Sequence, residues 1–206
     1  MDGIIFDVDG TLWDATGVIA DAWTDYLKKE EGLDISVTAD WLKTMFGMLL
    51  KDIADQILPE ISHEKKLQIL NNLLRIEHEV LARVKPPVYE GIPETLKKLS
   101  TRYPLFIVSN CQAGYIELFL ERTNLGSYVT DHLCPGDTGE VKAENIRRIV
   151  EKHRLSAPVY VGDTLWDYEA CQKAGVPFVF ASYGYGEVPN PDYQIQYPAE
   201  LLNLFI

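Results

Sequence analysis

Two aspartates, Asp7 and Asp9, close the apolar run Gly-Ile-Ile-Phe and open Asp-Val-Asp-Gly-Thr-Leu-Trp-Asp over residues 7–14. Carboxylates at the end of a buried segment are costly unless something compensates them. Three further places carry polar groups beside short apolar runs. Ser109-Asn110 follow Leu105–Val108, Asp163 and Asp167 sit in Gly-Asp-Thr-Leu-Trp-Asp after residues 159–161, and Lys142 opens a helical pattern. Aspartate oxygens are hard donors that suit Mg²⁺, which binds through few carboxylates, water and substrate phosphate. A hydroxyl donor and a lysine on the same rim would complete a place where a phosphoryl group and a divalent cation meet. Each piece alone has a plainer reading. Asp-Val-Asp-Gly could be a turn with helix-capping acids, Ser109-Asn110 a cap for the next helix, Lys142 a solvated lysine and Asp167 a first-turn acid. An EF-hand is excluded, because Leu12 stands where that loop needs glycine.

The elements that must position these residues can be read from periodicity. Residues 4–8, Leu105–Val108, 159–161 and Phe178–Ala181 are near-continuous apolar runs, as in strands of a parallel sheet covered on both faces. Helical faces fall between the last three: Ile116, Phe119 and Leu120; Ile146, Ile149 and Val150; and residues 166–174. This alternation predicts an α/β fold with a doubly wound parallel sheet, whose ligands bind at the carboxyl ends of the strands.

The first crossover breaks the pattern. Between residues 8 and 105 there is no strand signal, only helical stripes: Val18, Ile19, Ala22, Trp23, Tyr26 and Leu27, then Leu67, Leu70, Leu73, Leu74, Glu77 and Leu81. Trp41, Met45, Phe46, Leu49, Leu50, Ile53 and Ile57 add one or two helices with a break near Gly47, and Trp41, Met45 and Phe46 read as packing residues. Residues 15–84 are therefore expected to form an inserted α-helical domain, with residues 1–14 and 85–206 forming the α/β core. Lys85-Pro86-Pro87 reads as the return hinge, and Pro93 suits the first turn of the following helix.

Composition narrows the function classes. The 206 residues are 47% hydrophobic and 24% charged, as in an ordinary globular protein. A net charge of −12 argues against nonspecific nucleic-acid binding. It also requires a metal ion or local cation to offset the field around an anionic substrate. No apolar run reaches membrane-spanning length, and the N-terminus lacks a signal-peptide pattern. Cys111, Cys134 and Cys171 are odd in number and widely spaced, so no disulfide framework is implied and a cytoplasmic protein is expected. His63, His78, His132 and His153 lack ligand spacing, and Tyr183-Gly184-Tyr185-Gly186 lacks that of a dinucleotide fingerprint and reads as a surface loop near the rim.

Taken in order, Asp-Val-Asp-Gly-Thr-Leu, the serine after the second core strand, the isolated lysine and Gly-Asp-Thr-Leu-Trp-Asp resemble the four motifs of the haloacid dehalogenase superfamily. The position of the helical insertion resembles that of its capped phosphatases, phosphoglycolate phosphatase-like members above all. The resemblance implies a Mg²⁺-dependent phosphatase acting on a small phosphorylated metabolite. Asp7 would be the nucleophile, forming an aspartyl-phosphate, and Asp9 the general acid and base. Asp7, the Asp9 carbonyl and Asp163 would hold the metal, with Asp167 as ligand or orienter. Thr11 would fix the loop at the phosphate end, and Ser109 and the Asn110 amide would hold phosphate oxygens. Lys142 would offset charge between nucleophile and phosphoryl group. Lys142 departs from many relatives in being followed by Ala143 instead of proline, and no arginine follows Gly47 as in the sugar-phosphate mutases, which leaves Lys51 as the nearby cation. A phosphotransferase or mutase using the same Asp7, and a phosphorylatable binding module, are the alternatives; Asp9 argues against a 2-haloacid dehalogenase.

Overall fold

The computed structural model describes residues 1–48 and 50–206, with only the backbone of Leu50 and Lys51. Leu49, and any side-chain role for Leu50 or Lys51, lie outside the described residues. The elements run β1 (Gly3–Phe6), α1 (Thr16–Lys29), α2 (Ala39–Met45), α3 (Leu50–Ile57), α4 (His63–Leu81), α5 (Ile92–Leu99), β2 (Leu105–Val108), α6 (Tyr115–Thr123), β3 (Val129–Leu133), α7 (Pro135–Thr138), α8 (Lys142–Lys152), β4 (Pro158–Gly162), α9 (Leu165–Ala174), β5 (Phe178–Ala181), β6 (Tyr193–Ile195) and α10 (Glu200–Phe205).

All strands are parallel, in the order β3-β2-β1-β4-β5-β6, so β1 lies in the middle with Ile4 opposite both Leu105 and Val159. Successive side chains of a strand point to opposite faces, and the core divides accordingly. Ile4, Phe6, Leu105, Ile107, Val179 and Ala181 pack with Leu96 and Leu99 of α5, Phe119 of α6 and Leu201 of α10. Ile5, Phe106, Val108, Tyr160 and Phe178 pack with Ile146 and Ile149 of α8 and Cys171 of α9. The expected doubly wound α/β sheet is present.

Two strands were not legible. β3 is half-exposed and mixes Thr130, Asp131 and His132 into its run, and β6 is only three residues long. Both are sheet edges, where one flank is open and an unbroken apolar run is not required. The first crossover contains α1 to α4, as the periodicity predicts. Gly47 follows α2 in a left-handed conformation (φ +92°), breaking the run before α3. The outgoing and returning chains lie side by side: Asp14 N–H donates to the Pro87 carbonyl at 2.9 Å and Tyr89 N–H to Leu12 at 3.1 Å. Leu67, expected on the buried stripe of α4, is exposed; Ile69, Leu70, Leu73, Glu77 and Leu81 are buried there. No helix among the described residues is long and apolar enough to cross a membrane.

Candidate active site

The Asp7 N–H still joins the sheet, donating to the Val161 carbonyl at 2.9 Å, and the chain then turns sharply. The Val8 carbonyl accepts from the backbone of Thr11, Leu12 and Trp13 at 3.2, 2.7 and 3.3 Å. Gly10 permits this turn with φ +80°, and a Cβ there would lie 2.0 Å from Asp163 Oδ2, so both backbone and space demand glycine. The Thr11 hydroxyl, fully buried, donates to Asp163 Oδ1 at 3.1 Å and ties the turn to the end of β4.

Asp7 and Asp9 line one cavity but meet different neighbours. Lys142, the first residue of α8, donates to Asp7 Oδ1 at 3.0 Å and Asp167 Oδ1 at 2.6 Å. Carboxylate oxygens of Asp7, Asp163 and Asp167 lie within 4.8 Å of one another, all buried. Three carboxylates around one ammonium leave a surplus of negative charge in a buried site, which desolvation makes expensive. Burial accordingly raises the Asp7 carboxyl to about 6, opposed by Lys142 and reinforced by Asp167. Burial and the Asp167 and Asp7 charges push Asp163 well above the usual carboxylate range. The two carboxylates overcome the desolvation of Lys142 and hold its ammonium charged. A hard divalent cation fits this donor set, since it supplies the missing positive charge to oxygen ligands.

Asp167 is the most committed of the three. Its Oδ2 accepts from the Thr164 N–H at 3.0 Å, the Thr164 hydroxyl at 2.7 Å and the Asp163 N–H at 3.3 Å, forming a capping box at the start of α9. Its Oδ1 takes Lys142 and, at 3.3 Å, the Tyr160 hydroxyl. Asp167 is thus a capping acid, and its carboxylate also lies in the buried cluster with Asp7 and Asp163. Asp163 accepts one donor on each oxygen, Thr11 and, at 2.8 Å, the Tyr185 N–H.

Asp9 Oδ1 accepts from Trp13 Nε1 at 2.9 Å and the Tyr115 hydroxyl at 2.7 Å. Burial nevertheless raises its carboxyl well above the usual range, which suits an acid that must hold a proton at neutral pH. Ser109 and Asn110 also line the cavity, after β2. They do not cap a helix, since α6 is capped at Gly114. Instead the Asn110 side chain donates from Nδ2 to the Gly47 carbonyl at 2.7 Å, reaching the helical insertion. From that insertion comes Glu77 of α4, 5% exposed, whose Oε1 accepts from Gln112 at 2.8 Å. Burial raises its carboxyl to about 7. The space left between these walls is about 30 Å³, room for roughly a water molecule.

The aromatic partners Trp13, Tyr115 and Tyr160 were not anticipated, and no local signal marks them. The tyrosine-glycine loop after β5 does lie at the rim, but half-buried against the site and not free on the surface. A Cβ on Gly184 would lie 2.3 Å from Asp163 Cβ and 2.4 Å from the Gly10 carbonyl. Its paired glycines after a strand end were the available clue to close backbone approach.

A profile of haloacid dehalogenase-like hydrolases matches residues 4–181, and the chain belongs to that family. The class anticipated from the four motifs is borne out. The chain is 29% identical over 209 residues to a phosphoglycolate phosphatase of Aquifex aeolicus, covering 98% of this chain and 95% of that one. It is 27% identical over 222 residues to a phosphoglycolate phosphatase of Photobacterium profundum, covering 98% and 94%. Among solved structures, a haloacid dehalogenase-like family hydrolase from Streptococcus pneumoniae superposes with a TM-score of 0.85 at 23% identity, over 100% of this chain and 99% of that one.

Proposed function

We propose that this hydrolase is a Mg²⁺-dependent phosphatase of small phosphomonoesters, phosphoglycolate phosphatase-like in its chemistry, working through an aspartyl-phosphate on Asp7. The observation that carries the reading is one cavity lined by two aspartates in unlike settings. Asp7 is held by Lys142 among buried carboxylates, and Asp9 is raised above the usual carboxylate range. An Asp7 oxygen attacks phosphorus, and the bond from phosphorus to the ester oxygen breaks while Asp9 gives its proton to the departing alkoxide. Water then attacks the phosphorus of the acyl phosphate, Asp9 takes the water proton, and the Asp7 carboxylate is released with inorganic phosphate. Lys142 holds Asp7 in place throughout, and Ser109 with the Asn110 amide holds phosphate oxygens.

Asp7, Asp163 and the Asp9 carbonyl would hold Mg²⁺, with Asp167 orienting them through its capping box. When bound, the cation offsets the charge of the phosphoryl oxygens and the acidic site. Residues 15–84 act as a cap over a core made of residues 1–14 and 85–206. The small space between them requires the cap to open for substrate to enter. The three free, buried cysteines suit a reducing cytoplasm, and the relatives' names support a small phosphorylated metabolite as substrate.

The test is phosphate release from a panel of phosphomonoesters, with Mg²⁺ or chelator, by wild type and Asp7→Asn. Release that needs Mg²⁺ and falls by about 10³-fold or more in the variant is expected. Full turnover by pure Asp7→Asn would end the aspartyl-phosphate mechanism. Phosphoryl transfer to an added alcohol in preference to water would make the enzyme a phosphotransferase.

A further inference from the structure

The helical wall of the cavity carries polar atoms that the proposed phosphoryl chemistry does not use. Glu77 lies on the buried stripe of α4 between Leu73 and Leu81, where an aliphatic side chain would complete the packing. A carboxyl in such a place needs a reason, and its hydrogen bond from Gln112 accounts for only one of its oxygens. Trp23 of α1, 1% exposed, also lines the cavity, and its Nε1–H is buried with no partner among the described residues. Asn110 gives Nδ2 to Gly47, but its Oδ1 is buried and unpartnered. Buried polar groups in native proteins nearly always find partners. Two such atoms, Trp23 Nε1 and Asn110 Oδ1, on residues lining one cavity beside the Glu77 carboxyl point to a ligand that supplies them. Around them Phe46, Met48 and Ile53 make the wall apolar, and no lysine or arginine among the described residues lines the cavity.

The chemistry of these atoms selects the ligand. An indole N–H needs an acceptor, whereas an amide oxygen and a carboxyl oxygen need donors. An ammonium group satisfies only the oxygens. A carboxylate satisfies only the indole and adds negative charge beside Asp9 and Glu77. A hydroxyl both donates and accepts. We propose that Glu77, Trp23 and Asn110 form the leaving-group subsite, which takes a hydroxyl, so that the preferred substrate is the phosphomonoester of a polyol and not of a hydroxy acid. This rests on the phosphatase reading above and narrows it.

The experiment compares kcat/KM for 2-hydroxyethyl phosphate, glycerol 3-phosphate, O-phosphoethanolamine, phosphoglycolate and ethyl phosphate, with wild type, Trp23→Phe and Glu77→Leu. In wild type the better of the two hydroxylated esters should exceed ethyl phosphate and phosphoglycolate by about tenfold or more, the scale of one well-placed polar contact. Each variant should cut the ratio of hydroxylated ester to ethyl phosphate at least several-fold. Trp23→Phe deletes only the indole donor, so it decides the matter even if Glu77→Leu does not fold. Phosphoglycolate as the best substrate would overturn the subsite, as would ratios unmoved by Trp23→Phe, while leaving the phosphatase intact. No release from any ester would overturn both.

Discussion

On the core side of the cavity, Lys142 reaches Asp7 and Asp167 at 3.0 and 2.6 Å, and Asp167 takes three further donors from Thr164 and Asp163. On the helical side, among the described residues, Trp23 Nε1 meets no hydrogen-bond partner and Glu77 meets only Gln112. The carboxylate cluster of the core wall is satisfied within itself, and what it lacks is positive charge. The helical wall is electrically sparse, and what it lacks is partners. A preorganised array of charges suits a reaction common to many substrates. Unanswered donors and acceptors on an apolar wall suit the recognition of one leaving group. Under the proposed function, the difference gives chemistry to one wall and choice to the other.

The largest test of that division is Asp9→Asn. Asp9 is the proposed acid on the core side, and its loss should lower kcat by about 10²–10⁴-fold on every ester alike. Steady-state rates on two unlike substrates check this. A loss confined to one leaving group would move Asp9 to the recognising wall.

The same division explains what could be read from the chain. Asp7, Asp163 and Ser109 stand where apolar runs end, so local pattern alone brings them to the carboxyl rim of a parallel sheet. β3 and β6 escaped because edge strands, less covered on their faces, admit polar residues such as Asp131 and Gln194 into their runs. Asp9 acquires Tyr115 from 106 positions away, and Asp14 acquires Tyr185 from 171. Such pairings arise from tertiary packing and leave no periodic trace. Glu77 was visible as a member of a buried stripe, but periodicity reports which face is covered and not what covers it. Recognition on the helical wall was therefore the less legible half.

A second test asks whether the two walls stay together in solution. Burial raises Glu77 to about 7 from an ordinary 4.5. Asp9 and Tyr115 face it across the cavity and Gln112 touches it. The folded state thus holds a proton that the unfolded chain releases above pH 4.5, so this group costs nothing below pH 4.5. Its cost grows between pH 4.5 and 7 and is complete above 7. Glu77→Gln removes the titration. Its stability relative to wild type should rise by on the order of 3 kcal/mol between pH 4.5 and 8. Urea unfolding across that range measures it, and a flat difference would mean that the helical wall stands away from the core and leaves Glu77 in water.

The finest test falls on Tyr115, which belongs to both walls by position. It projects from α6 of the core, its hydroxyl donates to Asp9 at 2.7 Å, and it lines the cavity. Tyr115→Phe keeps the ring, which packs edge-on against Trp13 with centroids 5.9 Å apart. It removes only the donor, and Trp13 Nε1 still holds the same Asp9 oxygen. One of two donors lost from a buried carboxylate corresponds to about tenfold in rate. If Tyr115 serves the chemistry, kcat falls about tenfold on all esters and KM stays near its wild-type value. A rise in KM that depends on the leaving group, with kcat unchanged, would instead place its hydroxyl with Trp23 and Glu77. The boundary between reaction and recognition would then run through α6 and not between core and cap.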